Sequence, residues 1–218
     1  MRSSKPRKIA IGVVAGLLAA AGAYALLWPA RPPEQVGLRA AEPRAGALPL
    51  MFPAPRFALP DQDDATVATD DLRGRVTIVD FIFTNCANTC PKMTAKRAEL
   101  QQLIADPRVS FLSISVDPAR DDRQTRKSYA AANKIDESRW RFVSPPDADA
   151  AMKLAQQMKI AAAGPHAHGD SPILHSDRFV LIDSAAKVRG AYAITDATAM
   201  QRLVRDADAL ANEIPSKN

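Results

Sequence analysis

Cysteine is nearly missing from this 218-residue chain, which has two, Cys86 and Cys90, and only three histidines. Two thiols exclude a scaffold held by many disulfides, and as a purely structural bridge the pair would close a tiny loop worth about 2 kcal/mol. The Cys-x-x-Cys spacing of thioredoxins is also missing, because three residues stand between the thiols. No Met-x-x-Met cluster occurs; Met93, Met152, Met158 and Met200 fall at helical positions and read as packing residues. No internal repeat is present. A strong charge on the folded part is missing too. The chain carries +5, but Arg2, Lys5, Arg7 and Lys8 supply four of its 29 basic residues and stand before any acidic one. The other 25 basic and 24 acidic residues leave +1, too little for a nucleic-acid-binding surface.

What is there begins with an apolar run. Ile9 to Trp28 holds 20 residues without a charge, and a helix of that length spans about 30 Å, the thickness of the hydrocarbon layer of a bilayer. With four basic residues before it and Trp28 at its far end, the run reads as an anchor with a short cytoplasmic stub. Everything after residue 28 then lies on the other side. Ala23-Tyr24-Ala25 offers the competing reading of a cleaved signal peptide. Gly12 and Gly16 have a spacing that can pair transmembrane helices, though an Ala/Gly-rich run produces it easily. Residues 29–55 are rich in Pro, Ala and Arg without periodicity and read as a tether. Residues 56–218 suffice for one domain.

Within that domain, 56–60 and 65–69 read as a hairpin, and Val76 to Phe83 is a strand buried on both faces. Pro91 announces a helix in which Met93, Leu100, Leu103 and Ile104 share a face. Val109 to Val116 is a second apolar strand. Helices are expected at Asp121–Asn133 and Asp147–Ile160, with a short strand at Trp140–Val143 between them. A hairpin, Arg178–Asp183 and Lys187–Ile194, and a final helix from Asp196 to about Asn212 close the chain. Strands alternating with helices imply an α/β fold with a mixed sheet covered on both faces.

Cys86 and Cys90 sit at the first strand-to-helix junction, the carboxyl edge where open α/β sheets build sites. A helix N-terminus favours the thiolate, which can bind a soft metal or cycle between dithiol and disulfide. If the 178–183 strand runs antiparallel to the first, its start lies at the same edge. His175 could then approach the two sulfurs from some 85 residues away.

Three motifs stand in order: Thr84-Asn85-Cys86-Ala87-Asn88-Thr89-Cys90-Pro91, Ser113-Ile114-Ser115-Val116-Asp117-Pro118-Ala119-Arg120-Asp121, and His175-Ser176 before Phe179-Val180-Leu181-Ile182-Asp183. The chain from about residue 50 onward resembles the Sco/SenC family of membrane-anchored copper proteins. The resemblance implies a thioredoxin-like domain that binds copper, as Cu(I) or Cu(II), through Cys86, Cys90 and His175. It implies a chaperone that helps mature the dinuclear copper centre of respiratory cytochrome c oxidase, with the oxidase copper subunit and a copper donor protein as partners. The donor set suits that role, since Cu(I) prefers thiolates and Cu(II) accepts imidazole beside sulfur. The same cysteines as a redox-active disulfide would instead make a membrane-anchored thiol–disulfide oxidoreductase, or a redox or copper sensor. The absence of a long Arg/Ser-rich transit segment favours a bacterial inner membrane, with the domain in the periplasm.

Five further residues are candidates with two readings each. His166 and His168, nine and seven residues before His175, are extra copper or zinc ligands or solvated loop residues. Asp80 interrupts the first central strand and is a proton acceptor for the thiols or a paired structural carboxylate. Asp117 and Asp121 lie at the same expected edge, as partner contacts or structural groups, and are not assigned as ligands.

Overall fold

The computed structural model describes residues 48–49, 51–85, 89–160, 166–168, 171–173 and 176–215; at 89–90, 166–168 and 171–173 it describes the backbone. The expected membrane anchor, Gly12, Gly16, Cys86 and His175 lie outside the described residues. Among the described residues no helix is long and apolar enough to cross a membrane.

Ten strands and four α-helices follow one another among the described residues. They are β1 (Phe52–Pro53), β2 (Ala58–Pro60), β3 (Thr66–Ala68), β4 (Val76–Ile82), α1 (Thr89–Leu103), β5 (Val109–Ser115), α2 (Arg123–Ala132) and β6 (Trp140–Val143). Then come α3 (Ala148–Gln157), β7 (His166–His168), β8 (Ser171–Ile173), β9 (Arg178–Ile182), β10 (Lys187–Ala193) and α4 (Ala197–Asn212). Six strands form one sheet in the order β1-β10-β9-β4-β5-β6. β4, β5 and β6 run parallel, while β9 is antiparallel to both β4 and β10.

Every residue of β4 and β5 is buried, so neither face of the sheet meets water there. Continuous apolar runs such as Val-Thr-Ile-Val-Asp-Phe-Ile suit that double burial. The polar residues among them are paired: Thr77 Oγ1 and Ser110 Oγ stand 3.1 Å apart, and Ser110 Oγ also donates to the Val76 carbonyl. Both ends of the sheet are managed. β1, inside the segment read as tether, pairs with β10. At the other end the N–H groups of Phe142 and Ser144 are taken by Gln62 Oε1 at 2.8 Å and by the Pro60 carbonyl at 3.0 Å. Those two donors are therefore not free to pair with another strand.

Helix starts follow from single aspartates. Asp122 accepts from Thr125 N–H, Asp147 from Ala150 N–H, and Asp196 from Thr198 and Ala199 N–H, each satisfying donors that a first turn leaves free. Thus α2 begins at Arg123 rather than at Asp121. Similarly α1 begins at Thr89, two residues before Pro91, which a first turn tolerates because its missing N–H has no partner to lose. In α4 the buried set Ala199, Met200, Leu203, Ala207, Leu210 and Ala211 is the stripe expected of an amphipathic helix.

Helix α1 departs from expectation. Met93, Leu100 and Ile104 are buried, but Leu103 is 59% exposed, whereas Thr94, Arg97 and Gln101 are buried. Those three polar residues form an i, i+3, i+7 row that turns inward because partners await it. Thr94 Oγ1 meets the Tyr129 hydroxyl, Gln101 Nε2 donates to the Asp136 carbonyl at 3.1 Å, and Arg97 meets the sheet.

Tyr192 lies directly over Gly190, and its hydroxyl donates to Asp206 Oδ2 on α4 at 2.6 Å. A Cβ at position 190 would stand 2.7–2.9 Å from the Tyr192 ring, closer than real Cβ contacts. Gly190→Ala is therefore expected to cost about 1–3 kcal/mol through this overpacking. Urea denaturation beside wild type checks it, and an unchanged midpoint would mean that the ring moves aside freely.

Candidate metal centre

Cys90 is the second residue of α1, and β4 ends at Ile82, four residues before Cys86. β9 pairs antiparallel with β4 through Thr77 with Ile182, Ile78 with Leu181 and Val79 with Val180. This register carries the start of β9, and with it the segment that follows His175, to the edge where β4 ends. Ser176, next to His175, is buried, and its hydroxyl accepts from Arg178 N–H at 3.3 Å. The adjoining Asp177 carbonyl accepts from Ile194 N–H at 2.8 Å. The backbone on the far side of His175 is thereby tied to β9 and the end of β10. Among the described residues no three His, Cys, Asp or Glu gather around a metal position. Two thiols and an imidazole are nevertheless a donor set that fits copper.

His166 and His168 belong to a short antiparallel pair, β7 with β8, rather than to an irregular loop. His166 pairs with Ile173 and His168 with Ser171, so the first of them is level with a residue two before His175.

The stretch that leads from β4 toward Cys86 is held by Asp121, offered by the sequence as a partner contact or a structural group. Asp121 is wholly buried. Its Oδ1 accepts from Thr84 N–H at 3.0 Å and from Thr84 Oγ1 at 2.5 Å, and its Oδ2 accepts from Ser115 Oγ at 2.6 Å. Thr84 stands two residues before Cys86, and Ser115 ends β5. The signal was present in the order of the motifs, since Thr84 and Asp121 belong to two of the three that stand out. Asp117, by contrast, pairs with Arg120 at 2.5 Å, and the Arg120 side chain is 56% exposed. Burial pushes the Asp121 carboxyl upward, while the Ser115 and Thr84 hydrogen bonds hold it down and the nearby Asp117 adds a smaller push upward.

Asp80 faces α1. Its Oδ1 accepts from Ser113 Oγ at 2.5 Å, and Arg97 Nη1 lies 3.5 Å from its Oδ2. Arg97 also donates to Ser113 Oγ, as does Trp140 Nε1 at 2.9 Å, and the guanidinium carbon lies 4.7 Å from the Trp140 ring centroid. Burial pushes the Asp80 carboxyl up, against Arg97 and Ser113, which hold it down. Asp80 is thus the paired carboxylate of the two readings given above. Arg97 was missed because no hydrophobic pattern marks a buried arginine.

Similarities to known proteins agree with the architecture. The sequence model of the SCO1/SenC family matches residues 52–211. The SCO1 protein homolog of Bacillus subtilis strain 168 is 29% identical over 161 residues, covering 72% of this chain and 82% of that protein. The structure of BsSco, described as a member of the Sco family of cytochrome c oxidase assembly proteins with a disulfide switch, superposes with a TM-score of 0.65. It is 28% identical, and the match covers 75% of this chain and 95% of that one. Bradyrhizobium japonicum ScoI, solved with copper bound, shares the fold at 23% identity and a TM-score of 0.58, over 72% and 98% of the two chains. The domain is a thioredoxin-like mixed sheet with four described helices.

Two outcomes follow from the buried carboxylates. Arg97→Met leaves Asp80 buried without its charged partner, an expected loss of about 3–5 kcal/mol, whereas Asp80→Leu/Arg97→Met removes both members of the pair and should lose less. Chemical denaturation of the two variants ranks them. For Asp121, a carboxyl raised from its usual 3.8 favours the fold fully below that value, and the benefit is lost as pH rises through the raised one. Asp121→Asn cannot titrate. Its stability relative to wild type should therefore improve from about pH 3 to about pH 7; a pH-independent difference would contradict the upward shift.

Proposed function

The chain belongs to the SCO1/SenC family, and on that premise we propose that it is a copper-handling assembly factor for a respiratory cytochrome c oxidase. Copper is held by Cys86, Cys90 and His175, taken from a donor protein and passed to the copper subunit of the oxidase. The apolar run Ile9–Trp28 anchors the chain in the inner membrane, and the domain works in the periplasm.

The observation that carries this reading is the pairing of β9 with β4, which brings two stretches of chain separated by some 85 residues in sequence to one sheet edge. The relatives add weight: BsSco is described with oxidase assembly and a disulfide switch, and ScoI with bound copper. Copper when bound would be held mainly by the two thiolates as soft Cu(I), and by the thiolates with the imidazole as borderline Cu(II). The role of the chain is to keep the thiols close, deprotonated and open to a partner. A position at the start of α1 suits the thiolate form, because the first turn of a helix leaves N–H donors free and carries a partial positive charge.

The reduced full-length protein in detergent, titrated with copper beside His175→Ala and Cys86→Ser/Cys90→Ser, tests the reading. The expected result is near-stoichiometric binding with a thiolate-to-Cu(II) charge-transfer absorption, altered by the histidine substitution and abolished by the double one. If wild type binds copper no better than the double variant, the copper reading fails and the pair is to be assayed as a thiol–disulfide reductase.

A further inference from the structure

We propose that Asp121 is the positioning residue of the cysteine loop, its carboxylate fixing the frame on which the two sulfurs are brought together. The proposal rests on the copper reading only for the identity of the bound metal.

The geometry singles out this aspartate among the buried carboxylates. Its three side-chain hydrogen bonds join two separate segments: Thr84, which leads into Cys86, and Ser115, which ends β5. Both carboxylate oxygens are used, and the residue is fully buried. The clamp is braced from behind. The Asp121 carbonyl accepts from Arg126 Nη1 at 2.6 Å, its N–H donates to the Asp117 carbonyl at 2.9 Å, and Arg126 Nη2 donates to the Asp61 carbonyl at 2.8 Å. Arg126 is itself buried. The aspartate is therefore held by α2 and by the segment that covers the β6 edge, and it presents its carboxylate to Thr84 from a rigid base. On the near side, Val116 N–H donates to the Ile82 carbonyl at 3.0 Å, so the sheet ladder runs on to within two residues of Thr84.

A loop whose entrance is already fixed loses less freedom when a metal or a disulfide closes it. Both closed states require the two sulfurs together, so loosening the entrance should weaken both. Supporting groups of this kind typically contribute 10–100-fold to metal affinity. The contribution is one of shape, and a neutral side chain can supply it. An asparagine at 121 keeps an oxygen for Thr84, and its amide can donate to Ser115 Oγ, which has a lone pair to accept it. An alanine supplies neither.

The test uses the full-length protein in detergent, with Asp121→Ala, Asp121→Asn and Thr84→Val beside wild type. The Asp206→Ala variant, which removes the acceptor of Tyr192 on α4, serves as a destabilised control with the cysteine loop untouched. Copper affinity and the thiol–disulfide equilibrium with glutathione are both measured. Asp121→Ala is expected to lose 10–100-fold in copper affinity and to have a disulfide several-fold more easily reduced. Thr84→Val should follow in the same direction, Asp121→Asn should restore both quantities, and Asp206→Ala should lower the melting temperature while moving neither. Wild-type values in Asp121→Ala and Thr84→Val overturn the proposal, as does an equal shift in Asp206→Ala. Should Asp121→Ala fail to fold, Thr84→Val decides alone. If wild type itself binds no copper, the metal assignment falls, and the glutathione equilibrium still decides the role of Asp121.

Discussion

The pairs Thr77 with Ile182, Ile78 with Leu181 and Val79 with Val180 fix the antiparallel register of β9 on β4, and the layout of the site edge depends on them. β4 cannot shift, because all seven of its residues are buried and its other side is locked to β5 in seven consecutive pairs. A slip of one residue would turn every side chain to the opposite face. With β4 held from both sides, the segments leaving its carboxyl end and entering β9 are brought to one place. Two thiols from the first and an imidazole from the second can then be recruited from distant parts of the chain.

Beneath that edge the protein accepts charge in its interior where an apolar core would have been simpler. Asp80, Arg97, Ser113 and Trp140 form one connected set between α1 and the sheet. Asp121, Ser115, Thr84 and Arg126 form another at the top of β5. Buried polar networks contribute specificity of arrangement rather than net stability, because desolvation consumes much of the attraction. The first set fixes how α1 lies on the sheet, and Cys90 is in the first turn of that helix. The second fixes how the chain leaves β4 toward Cys86.

Much of this was legible beforehand. The apolar runs of β4 and β5 announced doubly buried strands, the amphipathic stretch from Asp196 to about Asn212 announced α4, and three ordered motifs announced the SCO1/SenC family. The misreadings have physical causes. Periodicity puts Leu103 on the face of Met93, Leu100 and Ile104, yet it sits in the last turn of α1 and is left exposed. Arg97 was passed over because a buried guanidinium depends on Asp80 and Ser113, which lie 17 and 16 residues away. β1 was read as part of a Pro-rich tether, since two residues of strand carry no pattern until β10 offers its edge.

The sequence by itself determined the types of the longer elements, the helix starts at Asp147 and Asp196, and the chemistry available in two thiols and three histidines, because these follow from local periodicity, local capping and side-chain type. Tertiary structure alone decided which distant groups meet. Asp121 finds Thr84 37 residues away, and the entry to β9 reaches the end of β4, because strand pairing and burial are satisfied jointly by the whole sheet. Contacts of that kind are selected by the free energy of the assembled core, which no local stretch of sequence encodes.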